Sequence, residues 1–185
     1  MNLGAPRHRG RAWVILDKNG RLIEDIDTDQ IYHNAHLHIT EVSQMGSFAL
    51  GNLEGWKDFP QRARPGDIVL AGRNFGAGSS RQQAVDCFIS LGIGAIIAPS
   101  FSSIYFRNAV NSGFPVLSMA GIGDLVGRGE VKSGDELSLD FPSGEGLNLT
   151  RNIPFHAHPM APVQLEILRA GNLFEYAKKR SGSSS

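Results

Sequence analysis

Residues Asp67–Met119 read DIVLAGRNFGAGSSRQQAVDCFISLGIGAIIAPSFSSIYFRNAVNSGFPVLSM, and the fold class follows from them. DIVLAG (Asp67 to Gly72) is a short, nearly continuous apolar run, the pattern of a strand covered on both faces. From Ser80 to Leu91 the apolar residues Ala84, Cys87, Phe88 and Leu91 recur at helical spacing, and Gly92 stops the run. GAIIAPS is a second buried strand. SSIYFRNAVNSG is a second helix, with a serine near its start and Gly113 just past its end. FPVLSM is a third strand. This β-α-β-α-β order predicts a parallel sheet with right-handed crossovers, hence an α/β fold.

Upstream, RAWVILDKNGRLI reads as two apolar segments around Asn19-Gly20, a hairpin signal. EDIDTDQIYHNAHLH has no clean period and reads as loop, with Asp25 and Asp27 shaping turns; a short helix is expected within Thr40 to Leu50. The turn RPGD at Arg64 to Asp67 launches the first strand of the parallel core. Downstream, DELSLDFPSGEGLNLT alternates about Pro142-Ser143-Gly144 as an antiparallel hairpin, and APVQLEILRAGNLFEYAKKR closes the chain as one or two helices. Residues 1–10 and 181–185 are expected to be flexible tails around one domain spanning 11–180. Trp13, Trp56 and Cys87 are expected in or near the core, and His156 and His158 in a loop.

At 185 residues the chain can bury a substantial core, and 41% apolar with 19% charged residues is the balance of a globular protein. Eighteen Lys plus Arg match 18 Asp plus Glu, so no global field draws in nucleic acid or an anionic membrane. No run is long and apolar enough for a bilayer span, and the N-terminus lacks the apolar core of a secretory signal. The single cysteine forms no internal disulfide, which fits a cytoplasmic location, and one thiol cannot hold a cysteine-rich zinc site or an iron–sulfur cluster.

The chemistry concentrates in NFGAGSSRQQ (Asn74 to Gln83), where the first strand of the core leads into a helix. In open parallel sheets ligands collect beyond the carboxyl ends of the strands. Gly76 and Gly78 allow several N–H groups to converge, and Ser79-x-x-Gln82 has the pattern of a capping box. Arg81 adds a planar charged fork suited to a carboxylate or phosphate. The loop is thus either an anion cradle or a tight turn made for packing. It is neither a Walker loop nor a G-x-G-x-x-G dinucleotide loop, because Arg81 occupies the third glycine position.

GRNFGAGSSRQQA followed by IGAIIAPSFSSIYFRNAVNSGFPVL resembles the swivelling β/β/α domain of the aconitase superfamily, among its members most nearly the small subunits of 3-isopropylmalate dehydratases. DIDTDQI (Asp25 to Ile31), the Pro-Gly-Asp turn and EILRAGNLFEYAKK fit in the same order, so the resemblance spans about Gly10 to Lys179. It implies a hydro-lyase of leucine biosynthesis in which a separate large subunit carries a [4Fe–4S] cluster and this chain binds no metal or cofactor of its own. By the same resemblance Ser79 is the base, Ser80, Arg81 and Gly78 bind substrate, and Asp29 lines the site. A specificity loop falls on Asn34 to Thr40, where His36 and His38 stand in for a family arginine. Three positions depart from the family's Cys-Gly-Ser-Ser-Arg-Glu-His: Ala77, Gln82 and Gln83. They keep open a non-catalytic anion-binding module, while the acid itself ranges over isopropylmalate, homoaconitate and methylated malates. A serine hydrolase built on Ser79 ranks last, because the Gly-x-Ser-x-Gly elbow is missing.

Overall fold

The computed structural model describes residues 7–182. Its strands are β1 (Arg7–Val14), β2 (Ile68–Leu70), β3 (Ala95–Ala98), β4 (Val116–Ser118), β5 (Glu136–Asp140), β6 (Glu145–Asn148) and β7 (Ile153–His156). They form one seven-stranded sheet in the order β4-β3-β2-β1-β5-β6-β7. The helices are α1 (Thr28–Ile31), α2 (Val42–Met45), α3 (Phe59–Arg62), α4 (Gln83–Leu91), α5 (Ser103–Asn111), α6 (Ile122–Gly127), α7 (Pro162–Ala170) and α8 (Leu173–Gly182). The β-α-β-α-β core expected from the sequence is β2-α4-β3-α5-β4, all parallel.

The strand β1 joins the two halves of the sheet. Ala12, Trp13 and Val14 pair in parallel with Ile68, Val69 and Leu70, whereas Arg7 to Arg11 pair antiparallel with Asp140 to Glu136. Its sequence explains the change of partner. Arg7 to Gly10 alternate exposed and half-buried positions, as a strand wet on one face does, and Ala12 to Ile15 are all buried, as a doubly covered strand requires. The expected N-terminal tail is therefore too long, since Arg7 to Gly10 are strand; residues 1–6 and 183–185 lie outside the described residues, and Ser181 and Gly182 end α8.

Alternation along the strands divides the core between the two faces of the sheet. Trp13, Val69, Ile96, Phe75, Phe88 and Tyr105 pack on one side, and Val14, Ile68, Leu70, Ile97, Leu117 and Leu139 on the other. Two carboxylates are buried with their partners. Asp67 accepts from Arg11 Nη2 at 2.7 Å, Trp13 Nε1 at 2.6 Å and the Arg64 amide at 2.8 Å, which is why the Pro-Gly-Asp turn closes where it does. Asp135 accepts from Arg151 Nε at 2.6 Å, Asn148 Nδ2 at 2.8 Å and the Lys132 amide at 2.9 Å. Each carboxylate gathers three donors on its Oδ2, which offsets the cost of burying the charge.

The hairpin β5–β6 forms as expected, and a third antiparallel strand, β7, adds to it. His156 is the last residue of that strand, opposite Glu145, rather than a loop residue; His158 is in the following loop. Trp13, Trp56 and Cys87 are buried. The turn at Asn19-Gly20 closes a minimal ladder, with Leu16 bridging Leu22 and Gly20 at φ 76°. The helix expected within Thr40 to Leu50 is the single turn α2 followed by a 3₁₀ turn, Gly46–Phe48.

Candidate active site

Two loops that are far apart in sequence are joined along their backbones at the carboxyl edge of β2. The Gly76 and Ala77 amides both donate to Ile26 O, and the Thr28 amide donates to Ala77 O, making a parallel bridge between Asp27 and Ala77. Gly76 is required at this junction. Its φ is 77°, and an added Cβ would collide with the ring of Tyr105. Gly78 also has positive φ, 91°, but faces only Thr28 Oγ1 at 3.5 Å, so the backbone conformation alone demands it.

The stretch DIDTDQI, read from sequence as loop, forms α1. Asp27 caps that turn by accepting from the Asp29 and Gln30 amides, while the Gln30 side chain accepts from the Asp27 amide, a complete capping box. Asp25 takes φ 53° and is bonded by Asn74, so both acids shape turns as expected. The capping box expected at Ser79-x-x-Gln82 does not form. The helix α4 begins at Gln83, not Ser80, and its N-cap residue Gln82 makes no side-chain cap. Gln82 Nε2 instead donates to Asp86 Oδ1 and Ser112 Oγ, both at 2.8 Å. These more distant partners outcompete the local cap, and the amides of residues 80–83 keep no hydrogen-bond partner among the described residues.

Ser79 is exposed, and its Oγ lies 2.9 Å from Thr28 Oγ1. The Ser79 amide donates to that same threonine oxygen at 3.2 Å. The threonine hydroxyl spends one lone pair on that amide, and between the two hydroxyls either oxygen can donate; toward a Ser79 alkoxide Thr28 would be the donor. Thr28 is itself buried, which fixes this geometry. Sequence reading missed Thr28, which lies between Asp27, the cap of α1, and Asp29, the partner of Arg81.

Arg81 Nη1 donates to Asp29 Oδ1 at 2.6 Å and to Tyr32 O at 3.1 Å. The guanidinium is one-fifth exposed, and its Nε and Nη2 take no protein partner among the described residues. Arg81, expected to hold a ligand carboxylate, is thus already held at one end by a carboxylate of its own chain. Asp29 collects three further neighbours: the Asn34 amide at 3.1 Å, Asn52 Nδ2 at 3.0 Å and His33 Nε2 at 3.9 Å. The Arg81 hydrogen bond, aided by the Asn34 amide and the Arg81 charge, holds the Asp29 carboxyl below the usual range against a smaller opposing effect of burial. Ser80 is exposed, and its carbonyl accepts from Asn108 Nδ2 at 3.2 Å.

The two histidines singled out from the sequence do not meet Ser79. His36 stacks on Phe48 with ring centroids 4.0 Å apart, and His38 is exposed with its Nδ1 3.0 Å from Ala35 O. His33, which the sequence reading passed over, is the imidazole beside Asp29. Among the described residues no three His, Cys, Asp or Glu side chains form a group able to hold a metal ion. Cys87 is fully buried, and burial pushes its thiol far above its ordinary pKa, so it is a poor metal ligand.

An exposed hydroxyl and a half-engaged guanidinium on a loop of small residues, at the edge of a parallel sheet, mark an α/β domain with an open polar loop at its strand ends. The family model of the aconitase C-terminal domain matches residues 23–120, which contain both loops, and the chain belongs to that family. It is 36% identical to the 3-isopropylmalate dehydratase small subunit of Thermodesulfovibrio yellowstonii, over 93% of this chain and 94% of that one. It is 35% identical to the isopropylmalate/citramalate isomerase small subunit of Methanocaldococcus jannaschii, over 95% of this chain and 96% of that one. The crystal structure of a 3-isopropylmalate dehydratase from M. jannaschii superimposes with a TM-score of 0.82 at 32% identity, covering 96% of this chain and 97% of that one. No described helix is long and apolar enough to cross a membrane.

Proposed function

We propose that this chain is the small subunit of a hydro-lyase of the 3-isopropylmalate dehydratase type, active only with a large subunit and acting on a 2-alkylmalate. The observation that carries the reading is the pairing at one loop of the exposed Ser79 hydroxyl with a guanidinium whose Nε and Nη2 edge is open. Relatives that match over nearly their whole length bear that name, which supports the class.

In this reading Arg81 receives a substrate carboxylate on Nε and Nη2 in the bidentate geometry that guanidinium favours. Ser79 Oγ takes the proton from the carbon beside a carboxylate; the C–H bond breaks, an O–H bond forms, and the electron pair stays on the substrate until hydroxide departs. Serine is a weak base unless its anion is stabilised. The Thr28 hydroxyl, the open amides of residues 80–83 and Arg81 are the donors for that anion. Ser80 and the Gly78 backbone complete the binding loop. His36 and His38 belong to the loop that selects the substrate's alkyl group, with His36 acting through its stack on Phe48.

Departure of hydroxide calls for a Lewis acid, and this chain's residues do not fit one, as the buried Cys87 and the lack of a ligand cluster among the described residues indicate. A [4Fe–4S] cluster on the large subunit would supply that acidity. No imidazole contacts Ser79 Oγ among the described residues, which disfavours a hydrolase.

The test is co-expression with a large subunit, anaerobic cluster reconstitution and a dehydration assay over isopropylmalate, citramalate, homocitrate and dimethylmalate. Turnover of at least one acid that disappears in Ser79→Ala is the expected result. A complex that forms, carries its cluster and turns over none of them reduces the chain to an anion-binding module. Ser79→Ala with full turnover overturns the assignment of the base.

A further inference from the structure

Asn52 reaches the site from a segment to which neither the sequence motifs nor the proposed chemistry assign a role. Leu50 takes φ 57°, and its amide donates to Ile31 O at 2.8 Å, tying this segment to the end of α1. The Gly51 amide donates to Phe48 O at 3.0 Å, and a Cβ at Gly51 would meet that same oxygen at 2.9 Å, so the turn closes tightly only with glycine. This turn presents Asn52 Nδ2 to Asp29 Oδ2 at 3.0 Å. The other oxygen, Oδ1, is taken by Arg81 and the Asn34 amide. The charged groups facing Asp29 are Arg81 and His33.

The donors divide the carboxylate between them. Arg81 needs Oδ1 in the plane of its own Nη1, and a carboxylate free to rotate would trade its two oxygens and draw the guanidinium with it. Asn52 on Oδ2 and the Asn34 amide on Oδ1 fix that rotation. We infer that Asn52 is a positioning residue: it locks the Asp29 carboxylate so that Asp29 and Tyr32 O hold Nη1, which leaves the Nε and Nη2 edge of Arg81 set for a substrate carboxylate. The inference deepens the proposed function, since it rests on Arg81 as the carboxylate-binding group.

The lock is measurable without turnover. In the isolated full chain, the Arg81 side-chain nitrogen resonances should show slow guanidinium rotation, and Asn52→Ala should accelerate it while the circular dichroism spectrum stays unchanged. In the reconstituted complex, Asn52→Ala should raise KM about tenfold with kcat changed less than about threefold, the cost of one oriented hydrogen bond felt in binding. Asn52→Asp supplies the sharper readout. Its introduced carboxyl donates to Asp29 only when protonated, so KM should approach the wild-type value at the acid end of the pH range and climb as pH rises, more steeply than in the wild type. Unchanged Arg81 rotation in Asn52→Ala, an unchanged KM, or parallel pH profiles for Asn52→Asp and wild type would each overturn the inference. Failure of the proposed function itself shows differently, as a cluster-bearing complex that turns over none of the acids, and leaves the rotation measurement to decide the lock alone.

Discussion

The two halves of the sheet each contain an aspartate and an arginine 2.6 Å apart, and the two pairs are built for opposite ends. In the antiparallel half Asp135 is 7% exposed, and Arg151, Asn148 and the Lys132 amide all donate to its Oδ2. In the parallel half Asp29 is 35% exposed, and Arg81 spends a single nitrogen on it. Both carboxyls lie below their ordinary pKa, but the balance differs. At Asp135 burial pulls upward, and the donors of Arg151, Asn148 and Lys132 outweigh it; at Asp29 the Arg81 bond is itself the leading influence. A carboxylate buried under three donors holds the fold, and one left a third exposed beside a partly engaged guanidinium is placed to meet a ligand.

The comparison breaks first if the buried pair proves dispensable. Asp135→Ala removes the oxygen on which Arg151, Asn148 and the Lys132 amide converge and should cost about 3–5 kcal/mol in denaturant unfolding, with turnover per folded complex retained. Next, Arg81→Ala should leave the unfolding midpoint nearly unchanged, because a partly exposed pair contributes little to stability, but lower kcat/KM by about 10²–10³-fold in the reconstituted complex. A large stability loss in that variant would make Arg81 a structural residue like Arg151. Thr28→Val keeps the shape and removes the hydroxyl paired with Ser79, and it should lower kcat about tenfold with KM little altered.

The smallest effect is on titration. Because the folded pKa of Asp29 is depressed, its stabilising contribution is complete above the ordinary aspartate range and disappears as pH falls through the depressed value. A carboxyl-carbon NMR titration should therefore place the Asp29 midpoint below that of a free aspartate, and Arg81→Gln should return it upward.

The parallel core was legible because doubly covered strands and amphipathic helices write their burial directly into DIVLAG, GAIIAPS and the Ala84, Cys87, Phe88 stripe. The membership of Arg7 to Val14 in both halves was not, since pairing with residues so distant in sequence leaves no local trace. Ser79 and Arg81 were legible as chemistry, but their setting was misjudged. A capping box is a local rule, and Gln82 abandons it for Asp86 and Ser112, the latter contributed by the end of α5. Thr28, His33 and Asn52 escaped notice because each gains its meaning only from a neighbour brought in by the bridge between Asp27 and Ala77 or by the turn at Leu50. His36 drew attention as an imidazole near the motif, yet an aromatic neighbour claims its ring.

The division of β1 between two sheet partners also governs the order of assembly. Arg11 meets Asp67, 56 positions along the chain, whereas Arg9 in the same strand waits for Glu136, 127 positions along. During synthesis the parallel portion therefore has all its strands well before the outer flank of the central one is covered, and an edge stays bare in the interval. Folding should be slow for a chain of this size, and a circular permutant that places residues 130–160 ahead of Arg7 should acquire protease resistance earlier on the ribosome than the native order does.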